Sequence, residues 1–299
     1  MNKKIEKLLV NVADVALRRR AKLILSALGP KDGDVILDVG CGDGYYLYLL
    51  HRLNKNTYSV GSDFDRIALD AAYENFKTNN IPVVMLSEKK YENALLKKSS
   101  LKKGTVYLIW ADLMKKLPFE DETFDKVVMG EVAEHLPSDV KGIKEISRVM
   151  KNGAKLALTV PCSNYPFLWD PINWVLERTV NTHIKSGFFA GIWNQHIRLY
   201  SPEKIKKVVE KAGLNVENAY ANTYWSLPFN HHIVNLGARI LYGGAMPTYI
   251  AQSVDKYTTK KSKPMFLQFV FAILNSIDTL NEKFPHKKSG VGVFVEAVK

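Results

Sequence analysis

The stretch Val35-Ile-Leu-Asp-Val-Gly-Cys-Gly-Asp-Gly-Tyr45 decides how this chain is read. Residues 35–39 are mostly branched and apolar, the pattern of a strand buried on both faces. That run carries one acid, Asp38, and leads straight into glycines at 40, 42 and 44. Glycines at alternate positions let a backbone pass close to a ligand, because no Cβ intervenes. A helix opening just after the turn would point its unpaired N–H groups at the same ligand. The dinucleotide fingerprint G-x-G-x-x-G fits poorly, since its third glycine would fall on Tyr45.

The chain continues in the same style. Tyr58-Ser-Val-Gly-Ser-Asp63 reads as a second strand ending in an acid. Asp63 follows the glycines by about 20 residues, where a carboxylate can accept hydrogen bonds from ribose hydroxyls. Asp65 suits the N-cap of a helix beginning near Arg66, which leaves Asp63 for a ligand. Residues 105–110 read as a third strand, followed by Ala111-Asp112-Leu113; 126–130 and 151–160 read as a fourth and a fifth. Strands alternating with helical stretches indicate a parallel sheet.

Asp-x-Gly-x-Gly-x-Gly, followed by these elements, resembles the class I S-adenosylmethionine (SAM)-dependent methyltransferases, especially the ubiquinone-biosynthesis-like small-molecule enzymes. The resemblance covers residues 33–161 and continues through 194–203 to Gly213. It is weak before residue 30 and absent from 225 to 288. It implies an α/β fold, a doubly wound seven-stranded Rossmann-like sheet with aromatic-rich helical lid insertions. It implies SAM as cofactor, with Asp38, Gly40, Gly42 and Gly44 holding the methionine end and Asp63 the ribose. Phe64 then lies beside the adenine, Asp112 meets its amino group, Leu113 packs on the ring, and Glu131 is a further cofactor contact. Cys41 and Asp43 receive no role, and Cys41 reads as a small filler.

After the fourth strand comes Glu131-Val-Ala-Glu134-His135. Positions i, i+3 and i+4 share one face if the segment is helical. The segment resembles one in ubiquinone O-methyltransferases that is linked to a divalent metal and a catechol substrate. Relatives without a metal use the histidine to orient the loop or face the substrate. His135 is taken as the catalytic base or orienter, and no metal ligand is assigned. Two alternatives stay open: a metal-assisted O-methyltransferase of a catechol-like substrate through Glu131, Glu134 and His135, and a non-catalytic SAM-fold adaptor at a membrane surface. His183, His196, His231 and His232 fall in the lid segments, and adjacent His231 and His232 make a poor metal pair. His196-Ile-Arg198 matches a stretch of the family before its late helix.

Composition bounds the rest. The 299 residues suffice for a sizeable core, with a net charge of +12 that favours anionic partners. Two cysteines offer neither a disulfide framework nor zinc spacing, and the first residues lack a secretion signal, so a cytoplasmic location is expected. The apolar run 264–274 is shorter than the ~20 residues a spanning helix needs. Lys256, Lys260, Lys261 and Lys263 precede it, a pattern that can dock on an anionic membrane surface. Nucleic acid is disfavoured: Gly130-Glu-Val-Ala replaces the Asn/Asp-Pro-Pro-aromatic run of adenine methylases, and the basic runs lack interleaved aromatics. The expected partner is a small or lipid-like substrate.

The chain divides into an N-terminal helical segment (1–30), a SAM-binding core (31–162), a lid insertion (163–200), a core continuation (201–222), a helical apolar insertion (223–288) and a last core strand (289–299). Residues 3–28 read as one amphipathic helical region with Arg18-Arg-Arg20 on a solvated face. Residues 78–104 read as a lysine-rich, partly helical, solvent-facing insertion. Ser201-Pro-Glu-Lys is a helix start, and the strands near 214–220 and 292–298 suit a terminal antiparallel pair. Tyr165, Phe167, Trp169, Trp174 and Trp193 in the first insertion suggest a lid over an apolar cavity, or a small core of their own.

Overall fold

The computed structural model describes residues 2–87, 95–226, 229, 255–257, 265–285 and 288–299. Two helices, α1 (Asn2–Leu8) and α2 (Val15–Leu28), precede the sheet. Strands β1 (Val35–Val39), β2 (Tyr58–Asp63), β3 (Val83–Met85), β4 (Val106–Trp110), β5 (Phe124–Gly130), β6 (Met150–Pro161), β7 (Asn215–Asn222) and β8 (Gly292–Val298) form one sheet in the order β3-β4-β2-β1-β5-β6-β8-β7. The pairs up to β6 are parallel, and β8 runs antiparallel between β6 and β7. Helices α3 (Tyr45–Leu53) and α4 (Arg66–Thr78) follow β1 and β2; α5 (Asp139–Val149) leads into β6 and α6 (Pro171–Thr179) follows it; α7 (Pro202–Lys211) precedes β7 and α8 (Met265–Lys283) precedes β8.

The local chemistry explains the elements. All five residues of β1 are buried, as expected for a strand covered on both faces. Asp65 caps α4 by accepting from the Ile67 N–H, and Ser201 caps α7 by accepting from the Lys204 N–H. Two apolar layers enclose the sheet. One gathers β-strand side chains with Ile143, Ile146, Ile205 and Val209; the other gathers them with Ile24, Leu25, Leu47, Leu50 and Phe76.

The structure corrects four expectations. The sheet has eight strands rather than seven: Val83–Met85 adds a parallel edge strand on β4, inside the stretch read as an insertion. Three residues behind Pro82 are too few to show a strand period. Of the helical piece expected in that insertion, the described residues show one 3-10 turn, Lys98–Ser100, while Leu96 is buried and bridges to Phe119; Lys89 and Lys90 lie outside the described residues. The N-terminal helical region is broken, because Asp14 accepts from the Ala16 N–H and starts a new helix. Lastly, Arg18 is not solvated. It is buried and donates to Asp278 (3.3 Å), Glu6 (2.9 Å) and Asn275, the first of these 260 positions away.

That network fastens α2 to α8. Removing one member of a buried pair leaves the other charge uncompensated, which costs about 3–5 kcal/mol. Urea unfolding of Arg18→Leu is expected to show a loss of about 3 kcal/mol. The double variant Arg18→Leu with Asp278→Leu should recover part of it, and a double loss equal to the sum of the singles would contradict the pairing.

Candidate active site

A cavity of about 620 Å³ opens at the carboxyl ends of the central parallel strands. Its wall is Val39 and Gly40 at the end of β1, Ser62, Asp63 and Phe64 at the end of β2, Ala111 to Met114 after β4, and Glu131, Val132 and His135 after β5. The chain builds outward from β1 to β2 and β4, then crosses back to β5 on the other side of β1. Open α/β sheets bind ligands at such a reversal, because the connections on either side leave a crevice.

The loop after β1 is shaped by its glycines. Gly40, Gly42 and Gly44 take φ of +67°, +53° and +83°. A Cβ on Gly40 would sit 2.4 Å from Val132 Cγ2, so this position needs glycine for packing. A Cβ on Gly42 would meet no protein atom within 4 Å. The space beside Gly42 is therefore open for a ligand. The loop is tied to β2: the Gly40 and Cys41 N–H groups donate to Ser62 O, and the Gly42 N–H donates to Asp63 Oδ2 at 2.7 Å. Asp63 Oδ1 accepts from the Asp65 N–H.

Beneath the loop lies Asp38, fully buried, with no hydrogen-bond partner of regular geometry on either oxygen. Burial, and then the charges of Asp63 and Asp43, push its carboxyl well above the usual range; the Leu47 N–H pulls the other way without offsetting this. A buried, unpartnered acid beside an open loop suits a ligand that brings a cationic donor. At the far wall, Asp112 accepts from the Met114 N–H and Leu113 is buried. Phe64 stands exposed at the rim, its carbonyl accepting from Trp110 Nε1 at 2.6 Å.

The segment after β5 does not form the single helix face expected of Glu131, Glu134 and His135. Glu131 has φ +58°, Val132 leaves the helical region, and only Ala133–His135 make a 3-10 turn. Glu131 turns to α2 and pairs with Arg20 (2.5 Å), while Glu134 is fully buried. Glu134 Oε1 faces His135 Nε2 and His196 Nε2, each at 3.9 Å. Both histidines contact backbone carbonyls through Nδ1, Gln195 O and Ile192 O, so Nδ1 carries the proton and the Nε2 lone pairs face the carboxyl. Burial, and then Glu131, raise the Glu134 carboxyl, while burial and the neighbouring His135 lower His196. The ligand atoms of Glu134, His135 and His196 all lie within 4.8 Å of one another. Two imidazoles and one carboxylate suit a transition-metal dication better than magnesium.

His196 arrives from the first insertion. The Ile197 N–H donates to Glu134 O, and Arg198 donates to the carbonyls of Leu136 and Pro137. That insertion has a small core of its own, with Tyr165, Trp169, Ile192 and Leu199 buried against Ala16 of α2. It also walls a second cavity of about 320 Å³, lined by Arg20, Glu131, Trp169, Ile192, Asn194 and His196. Glu131 thus borders both cavities.

A family model described as a methyltransferase domain matches residues 14–219. The chain belongs to the methyltransferase domain family. The mitochondrial ubiquinone biosynthesis O-methyltransferase of Bos taurus is 27% identical over 195 residues, 65% of this chain and 45% of that protein. The demethylmenaquinone methyltransferase of Staphylococcus aureus is 31% identical over 133 residues, 44% of this chain and 45% of that one. The chain spans about half the length of the curated relatives it matches. Among solved structures, the cyclase SpnF superposes with a TM-score of 0.53 at 18% identity, covering 94% of this chain and 80% of that one. Haemonchus contortus phosphoethanolamine N-methyltransferase 2 gives 0.51 at 18%, covering 94% and 52%. Both likenesses concern the fold.

In this methyltransferase-domain chain, Gly40, Asp63, Phe64, Asp112, Leu113, Glu131 and His135 all border the larger cavity. Asp38 lies under it, and Gly42 and Gly44 complete its loop. His183 stacks on Trp193 instead, and His231 and His232 lie outside the described residues. Arg20 was missed, since nothing in Arg18-Arg-Arg20 reveals a partner at 131. The family-like His196-Ile-Arg198 was the available signal for His196.

Two measurements check this electrostatics. An NMR titration of His196 should give a midpoint below 6.5; a higher one contradicts the burial. For Glu134, the raised carboxyl means that the unfolded chain loses its proton first as pH rises above 4.5, so stability falls from there upward. In chelator, Glu134→Gln should therefore melt no lower than wild type at neutral pH, with its relative advantage shrinking toward pH 4.5.

Proposed function

We propose that this chain is a SAM-dependent methyltransferase acting on a small or lipid-like acceptor. The observation that carries the reading is the cavity at the switch point, with open space at Gly42 above an unpartnered, buried Asp38. When bound, SAM supplies a methyl group on a sulfonium, which transfers to the acceptor and leaves a neutral thioether. Asp38 and the loop Gly40, Gly42 and Gly44 hold its cationic amino-acid end, Asp63 takes the ribose hydroxyls, and Asp112 takes the adenine amino group between Phe64 and Leu113. Glu131 stands between this cavity and the smaller one, where the acceptor sits under the lid segment 163–200. His135, on the wall of the larger cavity, removes or orients the acceptor proton together with His196, which lines the smaller cavity with its ring centroid 4.9 Å away. Alignment and exclusion of water supply most of the acceleration, because displacement at a methyl needs no covalent intermediate on the protein.

Relatives named for ubiquinone, menaquinone and phytyl-naphthoquinone support a lipid-like acceptor. The same reading includes a cytoplasmic location with peripheral contact to an anionic membrane, and no nucleic-acid partner. The two buried free cysteines suit a reducing compartment. No helix among the described residues is long and apolar enough to cross a membrane.

A second reading is favoured by the spacing of Glu134, His135 and His196, which could hold a divalent cation that lowers the acceptor's pKa. Glu131 is not among its ligands, since it is engaged by Arg20. Full methyl transfer in excess chelator, with no metal on the purified protein, removes this reading.

Calorimetry should show binding of SAM and of its demethylated product. Gly42→Val adds strain of about 1–2 kcal/mol at a left-handed position, yet should keep the fold while weakening SAM binding about 100-fold or more. Binding of neither ligand by wild type favours the adaptor reading. Retained affinity in Gly42→Val contradicts the loop assignment. Isotope-labelled methionine, followed by lipid and metabolite profiling with and without the gene, then identifies the acceptor through the added methyl.

A further inference from the structure

Helix α8 (Met265–Lys283) carries polar as well as apolar residues on its inward side, burying Phe271 and Leu274 beside Asp278 and Asn281. Asp278 and Asn281 are buried, and Asp278, Asn275 and Glu282 bond to Arg18, Arg19 and Lys22 of α2. Asn281 also exchanges two hydrogen bonds with the Trp225 backbone. The opposite face is apolar and open. Phe266 is 72% exposed, Phe269 66% and Phe284 62%, with Ile273 and Leu280 between them. At 3.6 residues per turn these five fall within an arc of roughly 60°. A soluble helix turns such a stripe to the core; here the inward face packs through Phe271 and Leu274 together with ions and amides, and no described residue covers the stripe.

The charges say what covers the stripe. The sequence brackets α8 with Lys260, Lys261 and Lys263 before it and Lys283, Lys287 and Lys288 at and after its end. Across 255–288 the acids are Asp255, Asp278 and Glu282. Asp278 and Glu282 are spent inward on α2. An apolar stripe flanked by lysines at both ends matches the boundary between acyl chains and anionic headgroups. A protein groove would have to supply acids at both ends of a phenylalanine-lined trough. Nineteen residues extend about 28 Å, enough to lie along the surface with the inward face still on α2.

We propose that α8 is a membrane-docking helix, with Phe266, Phe269, Ile273, Leu280 and Phe284 seated in the headgroup region of an anionic bilayer. This deepens the proposed function by naming the element that makes the peripheral contact. It also gives the acceptor a source. Helix α2 carries Arg18 to α8 and Arg20 to Glu131 at the junction of the two cavities. A bilayer under α8 therefore lies one helix away from the wall of the acceptor cavity.

The test is vesicle co-sedimentation of the full chain at low salt. Vesicles of equal parts phosphatidylcholine and phosphatidylglycerol should bind it about tenfold or more tightly than phosphatidylcholine alone, and added salt should weaken this. The variant Phe266→Glu with Phe269→Glu should lose that binding while its melting temperature and SAM affinity stay at wild-type values. Hydrogen exchange on wild type should slow across 265–284 when anionic vesicles are added. Wild type that ignores anionic vesicles, a variant that binds as well as wild type, or a wild-type dimer that the variant splits overturns the proposal. Calorimetry with SAM separates the two readings: loss of docking with intact SAM binding leaves the donor site standing, and the reverse leaves the docking helix standing.

Discussion

One buried carboxylate sets the terms for this site. Asp38 sits at zero exposure on a fully buried strand, with two more acids nearby and no regular hydrogen bond to either oxygen. Burying an acid this way is costly unless it stays protonated or meets a cation. The loop above it is open only because Gly42 leaves its Cβ space empty. Strand, acid and loop form a socket whose polar demand the chain itself does not meet.

The sheet decides what else can reach that socket. Parallel strands β1, β2, β4 and β5 all end on one edge, so Asp63, Asp112 and Glu131 converge there from distant parts of the chain. Hooking Gly42 N–H to Asp63 joins the glycine loop to β2. The fold alone would leave the chemistry undecided, since the cyclase SpnF shares it. What narrows the chemistry is the group of side chains at the strand ends.

Helix α2 is the second organiser. Its arginines, two positions apart, reach in different directions: Arg18 into a buried network with α8, Arg20 to Glu131 at the site. The residues that tie down the apolar C-terminal helix and those that wall the smaller cavity therefore share one element. The first insertion adds the remaining wall, held to the β5 loop by Ile197 and Arg198.

Short-range pattern was enough for the parallel core, the caps at Asp65 and Ser201, the terminal antiparallel pair and the glycine loop. Each rests on neighbours within a few residues, or on a strand's own burial. Gly40, Asp63 and Asp112 were legible because they fall at or just past strand ends that apolar runs announce, while the family resemblance pointed to Phe64, Leu113, Glu131 and His135. Tertiary structure alone decided the rest. Arg18 and Arg20 read as solvated because their partners lie far along the chain, and burial of an arginine depends on meeting a distant acid. The Glu131, Glu134 and His135 spacing suggested one helix face, but a left-handed Glu131 broke it and His196 came in from another segment. The three residues of β3 were too few for a period, and only pairing with β4 makes them a strand. Local sequence encodes conformation and periodicity; which side chains meet across the chain is set by packing, and that is where this site was completed.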